Sequence, residues 1–577
     1  MITAQHRVHF MSFHTKNLTR AALLGLALTQ PLTGQDRPLP PARITLPSDS
    51  LNIAVAEKKI DADSSRIELP EVVILGQDRA MRLVENKKNS SRELPRLLMP
   101  EFAPVSIWSR RDASRVVAGD ARPAQTQRYW AGLTGGSHVS ALADGGFWRQ
   151  LARGEVRLAA RMERSDGAFE NSQLARAGLQ ARIKGPLQPN LTGEADIGYE
   201  HLEQGAHGAL LPRLERSANT TSLRAAAEYR PAPDARANAA LTVGNTSLNS
   251  DTSGAAWRHS DHFRLGLAGD YTRTWKHWRM TGAAAYERET LGSDRDSTDI
   301  RATRNEVRLE VQTTPFAGMR TTLGIGWQNC SADSGDLSRL AALAQVAWLP
   351  TPRWGITLAV TSGLTAINYT SRLQENPWLA HVLPLVSDDR PLAVQLKAET
   401  RPFQALAVHV LAWYAQQASY SYWERNPESG LFNLRRVQDV RLSELQFGAT
   451  GNITTTVRLQ GSLSLNSDHL QHPGARGGDD RIPYRPDYLI RGRMEMPLPA
   501  RVALEGEAEL IGERRRGLEL PGRLPEVFLL HARLSRAFGA HLHGHFSIRN
   551  LLNREYVIWE GYQEPGVQLF LGLRYSY

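Results

Sequence analysis

From Tyr129 to the end of the chain one pattern keeps returning: a run of alternating apolar and polar side chains, roughly the length of a barrel strand. In EVRLEVQ, Val307, Leu309 and Val311 fall on one face, and Glu306, Arg308, Glu310 and Gln312 fall on the other. EVRLAARMER repeats it with Val156, Leu158, Ala160 and Met162 against Glu155, Arg157, Arg161 and Glu163. RVALEGEAEL sets Val502, Leu504, Ala508 and Leu510 against Arg501, Glu505, Glu507 and Glu509. Period two is the signature of a β-strand with two unlike faces. Twenty-two such segments can be read between Tyr129 and Tyr577.

The connections sort by length. After even-numbered segments they are short and often carry proline, as at 184–190, 230–236, 274–277, 313–319, 349–354, 400–406, 497–501 and 537–541. After most odd-numbered ones they are longer and read as polar: 201–218, 248–261, 291–304, 330–338, 368–390, 466–488, 511–526 and 551–566. This is an up-and-down antiparallel meander with short turns at one end and long loops at the other. A closed barrel of twenty-two strands is too wide for side chains to fill. Its charged face must line a wet interior, and its apolar face must meet lipid. The competing architecture is a row of two or three soluble β-domains, but residues 128–577 show no break in composition that would serve as a linker.

Bulk properties agree with strands rather than helices as the spanning elements. The chain has 577 residues, 41% of them hydrophobic, and a mean hydropathy of −0.38. No apolar run approaches the ~18–20 residues of a spanning helix. The single cysteine, Cys330, excludes an intrachain disulfide and a cysteine-based metal cluster. The net charge of +10 is spread along the chain rather than massed in one block, so it does not argue for nucleic acid as a partner.

The carboxy-terminal stretch SIRNLLNREYVIWEGYQEPGVQLFLGLRYSY resembles the end of TonB-dependent outer-membrane receptors. The matching residues are Asn550, Leu551, Leu552, Asn553, Arg554 and Tyr556, then Pro565 and Gly566, then a last strand with Leu569, Leu571, Leu573, Tyr575 and Tyr577 on one face. IPYRPDYLIRGRMEMPL, residues 482–498, is similar to the family's entry to a late strand. The resemblance implies an all-β chain whose residues 127–577 form a single large transmembrane antiparallel β-barrel of about 22 strands. It further implies a location in the outer membrane of a Gram-negative envelope, with both termini in the periplasm and lipid and lipopolysaccharide as surroundings. The terminal aromatic strand is then the tag for the barrel-assembly machinery and closes the sheet against the first strand. The implied function is transport of a ligand across that membrane, coupled to TonB–ExbB–ExbD. The alternative is a porin-like barrel or scaffold whose pore another protein fills. A barrel-borne enzyme is a third reading, without a motif to support it.

The amino-terminal portion departs from the family. Arg7, Lys16 and Arg20 precede the apolar stretch AALLGLAL and a small-residue exit near Gly34, so residues 1–34 read as a signal peptide, with Met11 a second candidate start. The other reading of that stretch is a short buried helix. Residues 35–126 are mostly irregular and too short for the family's plug, which points to a reduced or absent plug. Within them IELPEVVILGQ, residues 67–77, resembles a TonB box, with Leu69, Pro70, Glu71, Val72, Val73, Ile74 and Leu75 as the pairing stretch. Such a box adds a strand to its partner. A stray β-prone segment is the other reading.

Other constellations are weaker. His541, His543 and His545 alternate along the penultimate strand and read as polar lumen lining before they read as a metal site. The basic run GERRRG (512–517) reads as a solvated loop or as a contact for lipopolysaccharide phosphates. Asp479 and Asp480 lack a calcium-loop pattern. No nucleophile elbow, zinc-protease helix or phosphate loop is present, so the sequence assigns no catalytic residue, metal or cofactor.

Overall fold

The computed structural model describes residues 129–577, apart from 295–298, 471–479 and residues 152, 212, 253–254, 334, 352, 382, 386, 404, 455–456, 519 and 521. The signal-peptide, TonB-box and plug readings therefore lie outside the described residues. What is described is one closed antiparallel sheet of 22 strands. Each strand pairs with its sequence neighbours, and the first, Tyr129–Gly136, pairs with the last, Gln568–Ser576. Two further hairpins, Arg514–Arg515 with Arg523–Leu524 and Tyr556–Trp559 with Tyr562–Glu564, belong to loops.

Closure is made at the seam. Tyr129 N donates to Tyr577 O at 2.9 Å, and Tyr577 N returns the bond to Tyr129 O at 2.8 Å. Leu133 faces Leu573, and Gly136 faces Phe570. Phe570 is the one bulky apolar residue on the inward face of the last strand, and the Arg549 guanidinium lies 4.7 Å from its ring centroid. A side chain at Gly136 would collide with that ring, so the seam closes only over a glycine there.

The two faces separate as the alternation requires. Leu569, Leu571, Leu573, Tyr575 and Tyr577 all point outward, with Leu571 67% exposed. Val307, Leu309, Met162, Ile197 and Leu358 do the same on other strands. Trp275, Trp278, Trp348, Trp354, Phe403 and Phe538 mark the outer surface near the short-turn end, where an aromatic girdle meets the lipid boundary. The inward face carries ladders of opposite charge. Arg308 reaches Glu310 at 2.9 Å, Arg176 reaches Glu200 at 2.6 Å, and Arg491 reaches Glu509 at 2.9 Å.

The link lengths agree with the expected polarity at the short-turn end and depart from it at the other. Much of what reads as loop at 201–218, 248–261, 291–304 and 330–338 is strand. Leu191–Gly205, Leu214–Ala232, Ala235–Thr252 and Ala255–Trp275 run on past the apolar band, and so do the strands on either side of 294–299 and 333–334. The physical reason is that ladder bonds do not need lipid: polar side chains end the greasy face but leave the backbone pairing intact.

Leu571 sits mid-strand on the outward face, so Leu571→Arg should destabilise the barrel by about 2–4 kcal/mol. The check is reversible urea unfolding from lipid vesicles. A midpoint equal to wild type would contradict the outward placement of this face.

Candidate functional site: the roof of the long-loop mouth

The loop 366–387 turns inward and lies across the long-loop mouth. Its sequence explains why. Ile367, Tyr369, Leu373, Leu379, Leu383 and Leu385 are buried, which is far too apolar for a solvated connection. The earlier reading of 368–390 as a polar loop is thus corrected. Burying such side chains is worth about 1.5–3 kcal/mol each. They pack with Leu214, Leu248, Leu291, Trp423, Phe432, Tyr484, Trp559 and Tyr562, drawn from strands and loops around the rim.

The loop begins with a helix, Tyr369–Glu375. Asn368 caps it, its Oδ1 accepting from Ser371 N at 3.1 Å. The amide of the same Asn368 donates to Glu289 at 2.8 Å. Glu289, fully buried in the wall, accepts from Arg304 Nη1 at 2.9 Å, and Glu287 accepts from the same nitrogen at 2.6 Å. Arg304 Nη2 donates to Ile367 O at 2.6 Å and to Leu385 O at 2.9 Å, while Nε reaches Ser387 Oγ at 3.3 Å. One guanidinium therefore ties both ends of the loop to the wall, with two carboxylates compensating its charge.

Further along, Trp423 Nε1 donates to Glu375 at 3.0 Å. Ala380 N donates to Phe432 O at 2.6 Å, and Phe432 N donates to Trp378 O at 2.8 Å, a strand-like pairing across the mouth. His381 sits between Ser250 at 2.7 Å and Ser260 at 3.2 Å. Burial, with Arg216, Arg258 and His259 nearby, pushes its pKa down to about 2. The ring is therefore neutral, and two hydroxyls satisfy its two nitrogens.

Other loops complete the roof. Trp378 stacks on Tyr562 with centroids 4.2 Å apart, and His207 meets both edge-on. Burial lowers the His207 pKa, and its Nε2 lies 3.0 Å from Gln563 O. Leu210 N donates to Ser429 O at 3.0 Å, and Arg425 donates to Gly208 O at 2.9 Å. Those bonds join the connection between the fifth and sixth barrel strands to the connection between the fifteenth and sixteenth. In a ring of 22 these are almost opposite each other.

The residues singled out from sequence fall in several places. Asn550 and Asn553 both take left-handed backbone, φ 48° and 49°, which asparagine tolerates better than most residues. Asn550 Nδ2 donates to Arg554 O and Pro565 O at 2.7 and 3.1 Å, and its Oδ1 accepts from Arg554 N. Asn553 Oδ1 accepts from Val567 N at 2.8 Å, beside Gly566. Leu551 N donates to Leu530 O, Leu552 stays exposed, and Tyr556 packs against the roof core. These residues set the base of the loop that delivers Trp559 and Tyr562. The basic run at 512–517 is not a solvated patch: Arg514 is 1% exposed and donates to Pro525 O and Val557 O, Arg515 donates to Leu518 O, and Arg516 pairs with Glu560. His541 leaves the expected inward row, its ring lying 5.2 Å from that of Tyr577 in the turn, while His545 is buried on the inner wall. Among the described residues no group of three His, Cys, Asp or Glu is placed to hold a metal ion. Asp480 pairs with His469, and Asp479 is outside the described residues.

Sequence reasoning missed Arg304, Glu289 and Arg216 as special, because every inward face carries such residues. The apolar content of 366–387 was the available signal.

The roof should loosen in acid. An undocked His381 takes up a proton near pH 6.5, whereas the docked ring resists one until about pH 2. Docking is therefore full above about 6.5 and lost progressively below it, by on the order of 2 kcal/mol at pH 5. Hydrogen exchange of amides in 366–387, corrected for intrinsic rates, should show more opening at pH 5 than at pH 7.5. His381→Asn should flatten that dependence. Arg304→Ala removes the nearest guanidinium from buried Glu289, while Glu287 keeps Arg264 at 2.7 Å; a loss of about 3–5 kcal/mol is expected, and the same amides should be exposed at both pH values.

No family model and no curated protein matches this sequence. Solved structures do match in fold. The ferric-catecholate import receptor Fiu from Escherichia coli K12 superposes with a TM-score of 0.63 at 11% identity, over 79% of this chain and 82% of its own. The siderophore receptor PiuA from Acinetobacter baumannii gives 0.64 at 9%, over 79% and 82%. The copper transporter OprC gives 0.64 at 11%, over 78% and 81%. The described residues thus have the 22-stranded barrel fold of the TonB-dependent outer-membrane receptors and transporters.

Proposed function

We propose that this protein is an outer-membrane transporter of the TonB-dependent receptor type, admitting a scarce ligand from the long-loop side, with both termini in the periplasm. The observation that carries the reading is the roofed mouth. A passive porin needs an open channel, whereas here an apolar, tightly bonded loop lies across the entrance of a charge-lined lumen. That arrangement suits a conduit opened on demand. The structural neighbours are described as receptors and transporters of iron chelates and copper, which makes metal chelates the first ligands to assay. In this reading Leu69, Pro70, Glu71, Val72, Val73, Ile74 and Leu75 add a strand to TonB. The last strand, ending at Tyr577, is read by the assembly machinery. Residues 1–34 are removed on export, and 35–126 form a reduced periplasmic segment ahead of the barrel. No catalytic role is needed.

The decisive experiment is radiolabelled metal-chelate uptake by cells expressing the protein, with and without a protonophore. Accumulation that stops with the protonophore, and in a strain lacking TonB, is the expected result. Uptake indifferent to both would favour the scaffold or passive-pore reading. Orientation is checked separately: an epitope inserted at 427–429 should label on intact cells, and one at 233–234 should label only after the outer membrane is opened. The opposite pattern would reverse the barrel.

A further inference from the structure

Arg216 lies on the inner wall beneath the roof and is 3% exposed. Its Nη1 donates to Pro377 O at 2.5 Å, a carbonyl that Gln204 Nε2 also approaches at 3.4 Å. Its Nε and Nη2 are buried without a hydrogen-bond partner. The groups acting on it are the rings of Tyr369 and Tyr562 and the nearby neutral His381, and no carboxylate of the described residues is among them. The contrast with Arg304 is sharp: that guanidinium has two carboxylates and three further acceptors.

A buried guanidinium without a counter-charge is costly, and a protein that needed only a structural bond to Pro377 would be served by a neutral donor. The vacant nitrogens are not arbitrary ones. Nε and Nη2 form the side-on edge of the guanidinium, with two parallel N–H groups spaced for the two oxygens of one carboxylate or phosphate. Nη1, on the other edge, stays on the loop.

We propose that Arg216 is the anchor of an oxyanion-binding site beneath the roof, receiving a carboxylate or phosphate group of the transported ligand through Nε and Nη2. The proposal deepens the transport reading and rests on it for the ligand's identity as cargo. The bound group supplies the missing counter-charge while Nη1 remains on Pro377, so the ligand is held at the junction of wall and loop. The Trp378–Tyr562 stack and His207 lie beside the same loop segment and offer aromatic surface to the rest of the molecule.

The test uses full-length protein purified in a neutral detergent, titrated calorimetrically with inorganic phosphate and, separately, with acetate, at constant ionic strength in chloride. Saturable binding of one anion per chain is expected. Arg216→Gln should weaken it at least tenfold, and Arg216→Lys should weaken it less, because an ammonium keeps the charge but loses the fork. Arg301→Gln, on the outer surface, should leave it unchanged. Phosphate binding alone would point to a phosphorylated ligand, and acetate binding alone to a carboxylate. If Arg216→Gln does not give a heat-modifiable folded band, Arg216→Lys carries the comparison. No saturable binding of either anion, or binding undiminished in the folded Arg216 variants, overturns the site. Binding is read on purified protein, so a failure of energy-dependent uptake would sink the transport reading and leave this site standing.

Discussion

The structure depends first on the absence of water around its outer face. In lipid a backbone N–H or C=O without a partner is prohibitively expensive, so a sheet that spans must have no edge. The exchange of bonds between Tyr129 and Tyr577 is where that condition is met. Everything else about the strands follows from it. They must be numerous enough to close and apolar on the outside. They must also be charged or small on the inside, where the lumen is too wide to pack.

Above the apolar band the governing interaction changes from exclusion of water to compensation of buried charge. Glu289 and Arg304 would each be unaffordable alone at that depth. Together, with Glu287, Asn368, Ser387 and the carbonyls of Ile367 and Leu385, they give every Arg304 nitrogen an acceptor and each Glu289 oxygen a donor. The apolar core of the roof supplies the stability, and this network supplies the position. Arg216 shows what the same environment looks like when half of the compensation is left out.

Much of the barrel was legible in the sequence, because alternation is a local property. Val307, Leu309, Glu306 and Arg308 declare their faces without reference to any other strand. The carboxy-terminal motif was legible for a related reason: Asn550 and Asn553 serve bends within their own loop. The roof was not. Arg514 reads as one of three consecutive arginines, and only the fold shows that it is sealed under Pro525 and Val557. His541 and His545 are four apart and in phase on paper, yet one meets an aromatic ring in the turn and the other is buried in the wall. Contacts between segments hundreds of residues apart leave no periodic trace.

That separation bears on how the molecule comes into being. His207 meets Gln563 across 356 positions of chain, and Arg425 meets Gly208 across 217. Such contacts gain nothing until the ends they join are already held near each other, because the entropy of closing so long a loop comes first. The hairpins between neighbouring strands carry no such burden. The cylinder must therefore be assembled before its cover, and every newly made copy passes through a stage in which the ring is complete and the entrance is bare. During that interval the apolar side chains of 366–387 face water, and the mouth is, for a moment, wider than in the roofed structure.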